Sequence, residues 1–490
     1  MRLRVHTRTA IGLAIASALV LAAAPVLAGT RTTLASAPSP FAACTVGGPG
    51  TNFVNAEVEP RVAVNPQNPN NIIGVYQQDR WSNGGAHGLV TAVSVDGGQT
   101  WAHNFPHFST CAGGTAANGG GYDRSSDPWV TFAPNGDAFQ ISLSFSADQT
   151  TSAVLVSKST NMGASWSEPT TLISETSSFS FNDKESITAD PTQTGYVYAV
   201  WDRSRFPSDN ADINALHSFA FRGDIMFSRT TNGGATWEAP RRLNELNSNV
   251  FTIGNMIVVL PDGTLVDVFE QVKGSGVQGS TNPFTESVIR STDHGATWSK
   301  SITISSDQSV AVRDPDTGAR VRAGAGLPDA AVDRSTGAIY VVWADGRFSG
   351  GAHDDIALSK STDGGLTWSG PVKVNRSPLG VAAFTPSVAV AANGTVAVTY
   401  YDFRNNTSAP GALTDHWFIA SADGGATWAE QRLTATSFDI ETAPVAGGYF
   451  LGDYDGLATI GNDFAAFASY ANTGNVANRT DIYFTRVTVP

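Results

Sequence analysis

After four of the second apolar runs an acidic residue stands one or two places before an arginine: Asp79-Arg80, Asp202-Arg203, Asp345-Gly346-Arg347 and Asp402-Phe403-Arg404. A fifth arginine, Arg61, follows Glu59-Pro60. Other polar groups stand at Glu57, Asp127, Asp183-Lys184-Glu185, Asn255, Asp329 and Asp453, the last followed by Tyr454. An arginine can fork onto a carboxylate and lock a loop, or hold an anionic ligand. Carboxyls in unlike surroundings can divide acid and base work, and a tyrosine beside a carboxylate can serve as a nucleophile. Four copies of one acid–arginine arrangement favour locking, because catalysis needs unlike residues at unlike places. The run Asn182-Asp183-Lys184-Glu185 offers Glu185 for proton transfer or for polarising Tyr454, with Asp183 beside it; a salt-bridge cluster is the other use of such a run.

Other chemistry is sparse. His353-Asp354-Asp355 has cation-binding residue types, but one short acidic group is more often a solvated loop. No Ser-His-Asp elbow, phosphate-binding glycine loop or zinc-type His-Glu-x-x-His is present. No cofactor is expected and no metal ligands are assigned; acidic loops do carry the oxygen donors that a structural Ca²⁺ takes. The formal net charge of −13 argues against a nucleic-acid partner, which needs a basic face.

The elements that must position these groups are repeats. One eight-residue pattern, Ser/Thr-x-Asp/Asn-x-Gly-x-Thr/Ser-Trp, occurs six times, at steps of 65, 71, 61, 70 and 60 residues. Its acidic or amide positions are Asp96, Asn161, Asn232, Asp293, Asp363 and Asp423. Asp or Asn accepts backbone N–H bonds within its own turn, and Gly takes a positive φ at no steric cost. The box is therefore a structural turn. Before each box lie three short apolar or alternating runs, the signature of β-strands. First runs begin near Arg61, Trp129, Ser186, Met256, Asp329, Ser387 and Asp455, which makes seven units for six boxes. The seventh unit ends with the chain and lacks an outer strand. The N-terminal stretch around 41–57 is expected to supply it and close a ring.

The expected fold is thus an all-β propeller of seven four-stranded blades, with six as the alternative if one unit is an insertion. In such a blade the start of strand one and the end of strand two share a face, and the boxes lie on the other. The acids, arginines and Tyr454 then converge on one central mouth.

The boxes are those of the Asp-box, or bacterial neuraminidase, repeat, and residues 58–490 resemble a secreted sialidase-like propeller. The resemblance implies a glycoside hydrolase acting on terminal sialic-acid-type or other extracellular glycans. In that family arginines clamp the substrate carboxylate and a tyrosine paired with a glutamate is the nucleophile. Arg61, in Glu59-Pro60-Arg61-Val62, loosely matches the first family arginine. Tyr454, at the opening of the last first strand, matches the tyrosine. Its helpers would be Glu185 and Asp183. Substrate contacts would come from Arg61, Arg80, Arg203, Arg347, Arg404, Asp127, Asp329 and Asp453. Where the second family arginine should stand, the chain reads Gly254-Asn255-Met256. A non-catalytic propeller that binds glycan or protein is the alternative.

The first 28 residues read as a secretory signal: Arg2, Arg4 and Arg8, then an Ala/Leu/Val run ending Val26-Leu27-Ala28. The product is expected outside the cell, without a membrane span after cleavage and as a monomer. Residues 29–57 form an N-terminal segment, Thr/Ser/Ala-rich and loose to about Pro40, part of which closes the last unit. Cys44 and Cys111 are expected to form one disulfide between this segment and the end of the first repeat.

Overall fold

Apolar and β-branched runs interrupted every few residues by Gly, Asn, Asp or Pro form short ladders. The computed structural model describes residues 29–206, 222–243, 250–273, 284–324 and 326–489, and it is all-β. The signal-like residues 1–28 lie outside the described residues. The strands pair into seven antiparallel units of four. Their first strands are Asn52–Val64, Arg124–Phe132, Ser180–Ala189, Val250–Val259, Asp329–Val332, Ala383–Val390 and Gly456–Ile460. Each packs beside the next, and the last packs against the first. Segments of all seven line one open channel of about 530 Å³.

The last unit is completed differently from expectation. Its outer strand is Gly29–Leu34, paired antiparallel with Thr480–Thr488 from Gly29↔Thr488 to Leu34↔Tyr483. Residues 41–57 do not fill that place, and residues 29–34 are not loose. Three of the six are threonines, whose branched side chains suit an edge ladder. Their polar atoms are used: Thr33 Oγ1 donates to Gly98 O at 2.9 Å and accepts from Trp101 Nε1 at 3.1 Å, fastening the strand to the first box. Cys44 and Cys111 are joined, as expected, with Cα atoms 5.7 Å apart.

The boxes are turns made in one way. In Asp363, Oδ1 accepts from Leu366 N and Thr367 N at 3.1 and 2.9 Å, and Oδ2 accepts from Thr367 Oγ1 at 2.6 Å. Asp96, Asp293 and Asp423 bond the corresponding threonine alike. In four boxes the invariant glycine, Gly98, Gly163, Gly234 or Gly295, must be glycine because a neighbouring unit's core comes so close. A Cβ on Gly163 would lie 2.6 Å from Ile73 Cδ1, and one on Gly234 2.7 Å from Phe139 Cε1. A cation just before one box also reaches the next. Lys158 Nζ donates to Gly233 O at 2.8 Å, Arg290 Nε donates to Gly364 O at 2.5 Å, and Arg229 donates to His294 O. The box face is a belt of inter-unit bonds.

The mouth end of the first strands is irregular in a repeated way. Five of them slip register at one place: between Val58 and Arg61, Ser126 and Trp129, Asp183 and Ser186, Ile253 and Met256, and Phe384 and Ser387. Each bulge contains a left-handed residue: Glu59 (φ 53°), Asp127 (52°), Lys184 (47°), Gly254 (74°) and Thr385 (50°). Four of these five carry a side chain, in a region that costs a non-glycine residue roughly 1–3 kcal/mol. A bulge re-aims side chains and sharpens the local twist.

Candidate active site

Three of the bulged residues meet over the mouth. Lys184 Nζ bonds Asp127 at 2.6 Å and Asp453 at 2.8 Å, and lies 3.3 Å from Glu59. Asp453 also receives Arg322, whose Nε donates to Oδ1 at 2.9 Å and whose Nη2 donates to Oδ2. Gln77 Nε2 donates to the Glu59 carboxylate. Units 1, 2, 3 and 7 thus share one charge network.

The surroundings push its carboxyls apart. Burial opposes the charge on Asp453, but Lys184 and Arg322 hold it well below the usual range. Burial raises Glu59 to about 7, against the pull of Lys184. Burial and then the Asp127 charge raise Asp183 to about 6. Asp183 keeps a minor part of its surface exposed, and among the described residues its Oδ1 accepts only the neighbouring Lys184 N–H, at 3.0 Å. Lys184 is held firmly protonated despite its burial, by Asp127, Asp453 and Glu59.

Below this network, a cavity is lined in part by Arg61, Trp129, Glu185, Asn255, Asp329 and Tyr454. Arg61 closes its floor. Its Nη2 meets Asp329 Oδ1 at 3.0 Å, its Nη1 donates to Asp455 O at 2.8 Å, and its guanidinium lies 3.5 Å over Trp129. Ser387 Oγ donates to the other Asp329 oxygen at 2.6 Å. The pair spans from unit 1 to unit 5 across the axis.

Tyr454 stands in the mouth with its ring 5.5 Å from Trp129. Its hydroxyl donates to Pro128 O at 3.4 Å. Burial, then Glu59, Asp127 and Glu185, push its pKa well above that of free tyrosine. Glu185 lines the same cavity but is fully buried. One oxygen accepts from Leu143 N, the other has no partner among the described residues, and burial pushes the acid's pKa well above its usual range. The two expected catalytic partners line one cavity without a bond between them, and burial opposes the charge on each.

The arginines divide in a way the repeated pattern had favoured. Arg203 pairs with Glu175 on the outer strand of the preceding unit, whereas Arg347 pairs with Asp345, and Arg404 with Asp402 and Glu430, within their own units. These three do not join the central network, and Asp202 instead holds the next bulge by accepting from Thr252 Oγ1 and Gly254 N at 2.8 and 2.9 Å. Each of these guanidiniums already has a carboxylate partner. Arg80 differs. Its Nη1 donates to Gln77 Oε1 at 2.7 Å, its guanidinium lies 4.7 Å over Phe450, and it has no ion pair among the described residues. His353-Asp354-Asp355 does not gather round a cation: Asp354 accepts from Ser309 Oγ and Val310 N, and Asp355 pairs with Lys373. Among the described residues no group of His, Cys, Asp and Glu is arranged to hold a metal ion.

Arg322 escaped the repeat-based reading because it belongs to no repeat. It lies in the connection from Asp307 to Asp329, which carries a two-residue strand, Val321–Arg322, parallel to Tyr449–Phe450. The length of that connection and its three arginines, Arg313, Arg320 and Arg322, were the available signal.

No protein-family model and no curated protein matches the chain. Among solved structures, a Hadza microbial sialidase is similar at 14% identity, with 85% of this chain and 73% of that one covered and a TM-score of 0.47. A Penicillium chrysogenum α-L-arabinanase complexed with arabinobiose is similar at 12% identity over 90% and 96%, with a TM-score of 0.45. A Dyadobacter fermentans protein of unknown function reaches 12% identity over 94% and 100%, with a TM-score of 0.46. Two of these three neighbours are glycoside hydrolases by description. At such likeness neither their activity nor their substrate carries over to this chain.

Proposed function

We propose that the chain is a secreted seven-bladed propeller and a glycoside hydrolase whose catalytic acid is Asp183, acting on a neutral extracellular glycan. One observation carries this: in a single mouth, a mostly buried carboxyl with its pKa raised to about 6, lining the same cleft as Asp453, stands near a carboxylate that Lys184 and Arg322 keep ionised. Two carboxyls driven to unlike states are what glycosidic cleavage requires. Asp183 gives its proton to the bridging oxygen as the bond to the anomeric carbon breaks. Ionised Asp453 faces the positive charge that develops. Water then adds to that carbon and returns a proton to Asp183. The propeller reading draws on the seven four-stranded units and the unbroken cycle of first-strand contacts.

The sugar is neutral in this proposal because Arg61, Arg203, Arg347 and Arg404 are each already ion-paired, and Arg80, which has no ion pair among the described residues, is buried with Nη1 on Gln77 and its guanidinium over Phe450. The same pairing favours the second reading, a mouth that binds glycan without cleaving it. The test is a panel of chromogenic glycosides, including a sialoside, with the mature protein and Asp183→Asn. Turnover of a neutral glycoside that falls about 10²–10⁴-fold in the folded variant supports the assignment. Cleavage of the sialoside alone would return the acidic-sugar reading, and no cleavage at all leaves the binding module.

A further inference from the structure

Two clefts, not one pit, meet at Asp183. The first is lined by Glu59, Arg80, Asp127, Phe145 and Phe181 and holds about 150 Å³. The second runs under the Arg322 connection, past Ile253, Glu270, Val312, Arg320 and Leu327, and holds about 270 Å³. Both are open to solvent, as clefts that take part of a longer ligand must be. Asp183, Lys184 and Arg322 line both, so these three side chains form the saddle between them. An enzyme that trims chain ends needs a blind pocket on one side of its acid. Here there is empty space on both sides.

The two walls differ in kind. Phe145 and Phe181 stand edge to face at 5.6 Å, and Phe181 keeps part of its ring exposed, an apolar surface for the flat face of a sugar. The second cleft pairs apolar Val312 and Leu327 with the polar ends of Arg320 and Glu270. Resting on the hydrolase reading above, the geometry points to a linear, neutral polysaccharide laid across the saddle and cut internally, with sugar units bound on both sides of Asp183. The bond broken is the glycosidic C–O bond over Asp183, and one water is consumed per cut.

Dyed, cross-linked linear polysaccharides of arabinose, xylose, galactose, glucose and mannose release soluble colour only on internal cleavage. Matching p-nitrophenyl monoglycosides report cleavage at an end. Colour from one polymer, with its monoglycoside turned over at least about tenfold more slowly, is the expected result. Phe181→Ala should then raise KM for that polymer about tenfold and leave kcat within about twofold, since it removes binding but not chemistry. Fast turnover of a monoglycoside with no colour from its polymer overturns the internal mode and leaves the hydrolase reading standing. No cleavage of any polymer or glycoside overturns both. A Phe181→Ala variant with unchanged KM removes the aromatic subsite and with it the two-sided occupancy.

Discussion

The two faces of the protein use the same residue for opposite purposes. On the box face, Asp363 lies in the open, and hydrogen bonds from Thr367 pull its pKa down to about 2. In the mouth, Asp183 lacks such donors, and burial lifts it to about 6. The box turn recurs six-fold with Asp in four copies and the isosteric Asn in two, whereas the mouth places Glu59, Asp127, Lys184, Gly254 and Thr385 at one bulge position in five units. Repetition with one kind of residue marks what every unit needs in order to fold. A shared backbone distortion with five different residues marks a place where the fold supplies a socket and the sequence chooses what to put there.

The largest effect should come from emptying the socket at its centre. Lys184→Met leaves Glu59, Asp127 and Asp453 without their shared cation. Removing one partner from a buried ion pair costs about 3–5 kcal/mol. Urea unfolding should show that loss, and turnover should fall with it. An unchanged midpoint would mean that the three acids take up protons at no cost and that the network is incidental. Lys184→Arg should restore part of the stability.

Next comes the seam of the ring. Deleting residues 29–34 removes a six-residue ladder and the Trp101–Thr33 bond. A loss on the order of 2–3 kcal/mol follows from a few net hydrogen bonds at about 1 kcal/mol each. The deletion variant should melt earlier and still bind or cleave at low temperature, because no atom of the mouth network belongs to that strand. Unaltered melting would show that the disulfide and the first-strand contacts close the ring unaided.

Those two regions were unequally legible in the sequence. The boxes stood out because a turn has fixed demands at fixed spacing. The seven first strands were found, but five were placed to begin at Arg61, Trp129, Ser186, Met256 and Ser387, the first residues after each bulge. Proline, glycine or a charged pair breaks the alternation there, so the pattern halts although the strand continues. Asp183, Asp127 and Asp453 were visible as mouth residues, since strand order alone carries them there. Which carboxyl stays protonated was not visible, because it depends on burial and on Arg322 from outside the repeats. The N-terminal edge strand was missed because threonine-rich polar chain reads as loose when its partner lies some 450 residues away.

The faces should also part company on titration. Glu59, Asp183, Asp354 and Asp455 have folded pKa values raised to about 7, 6, 7 and 8, chiefly by burial. The unfolded chain ionises its carboxyls near pH 4, so between about 4 and 8 the folded state binds more protons. The stability these groups give is complete below pH 4 and is lost as pH rises through 6 to 8. Box acids act in the opposite sense: their share is present above pH 4 and lost as pH falls toward 2. The melting temperature should therefore be higher at pH 5 than at pH 8, and Asp183-dependent turnover should fall above about pH 6. A melting temperature that climbs from pH 5 to 8 would contradict the buried-acid account.

The smallest effect is expected where the sequence has already made the substitution. In the second box Asn161 Oδ1 accepts from Ser165 N at 3.1 Å, and its Nδ2 donates to Ser165 Oγ at 2.8 Å. In the third, Asn232 does the same with Thr236, at 3.0 and 2.8 Å. The hydroxyl four places on donates to an aspartate and accepts from an asparagine, so the turn keeps that bond, and the one from the backbone N–H beside it, with either residue. Asp363→Asn should therefore cost no more than about 0.5 kcal/mol, within the range of surface substitutions, and leave turnover unchanged. Asp363→Ala loses the acceptor for two backbone N–H groups and one hydroxyl, and should cost about 1 kcal/mol, because the open turn lets water take over part of the bonding. Paired unfolding curves at neutral pH distinguish the two variants, and repeating them at pH 3 sharpens the result. The asparagine variant carries no group that titrates there, so its deficit against the parent should shrink as Asp363 begins to protonate. If Asp363→Asn is as damaging as Asp363→Ala, the negative charge rather than the bond pattern is what the box requires, and Asn161 and Asn232 must be compensated by something in their own units.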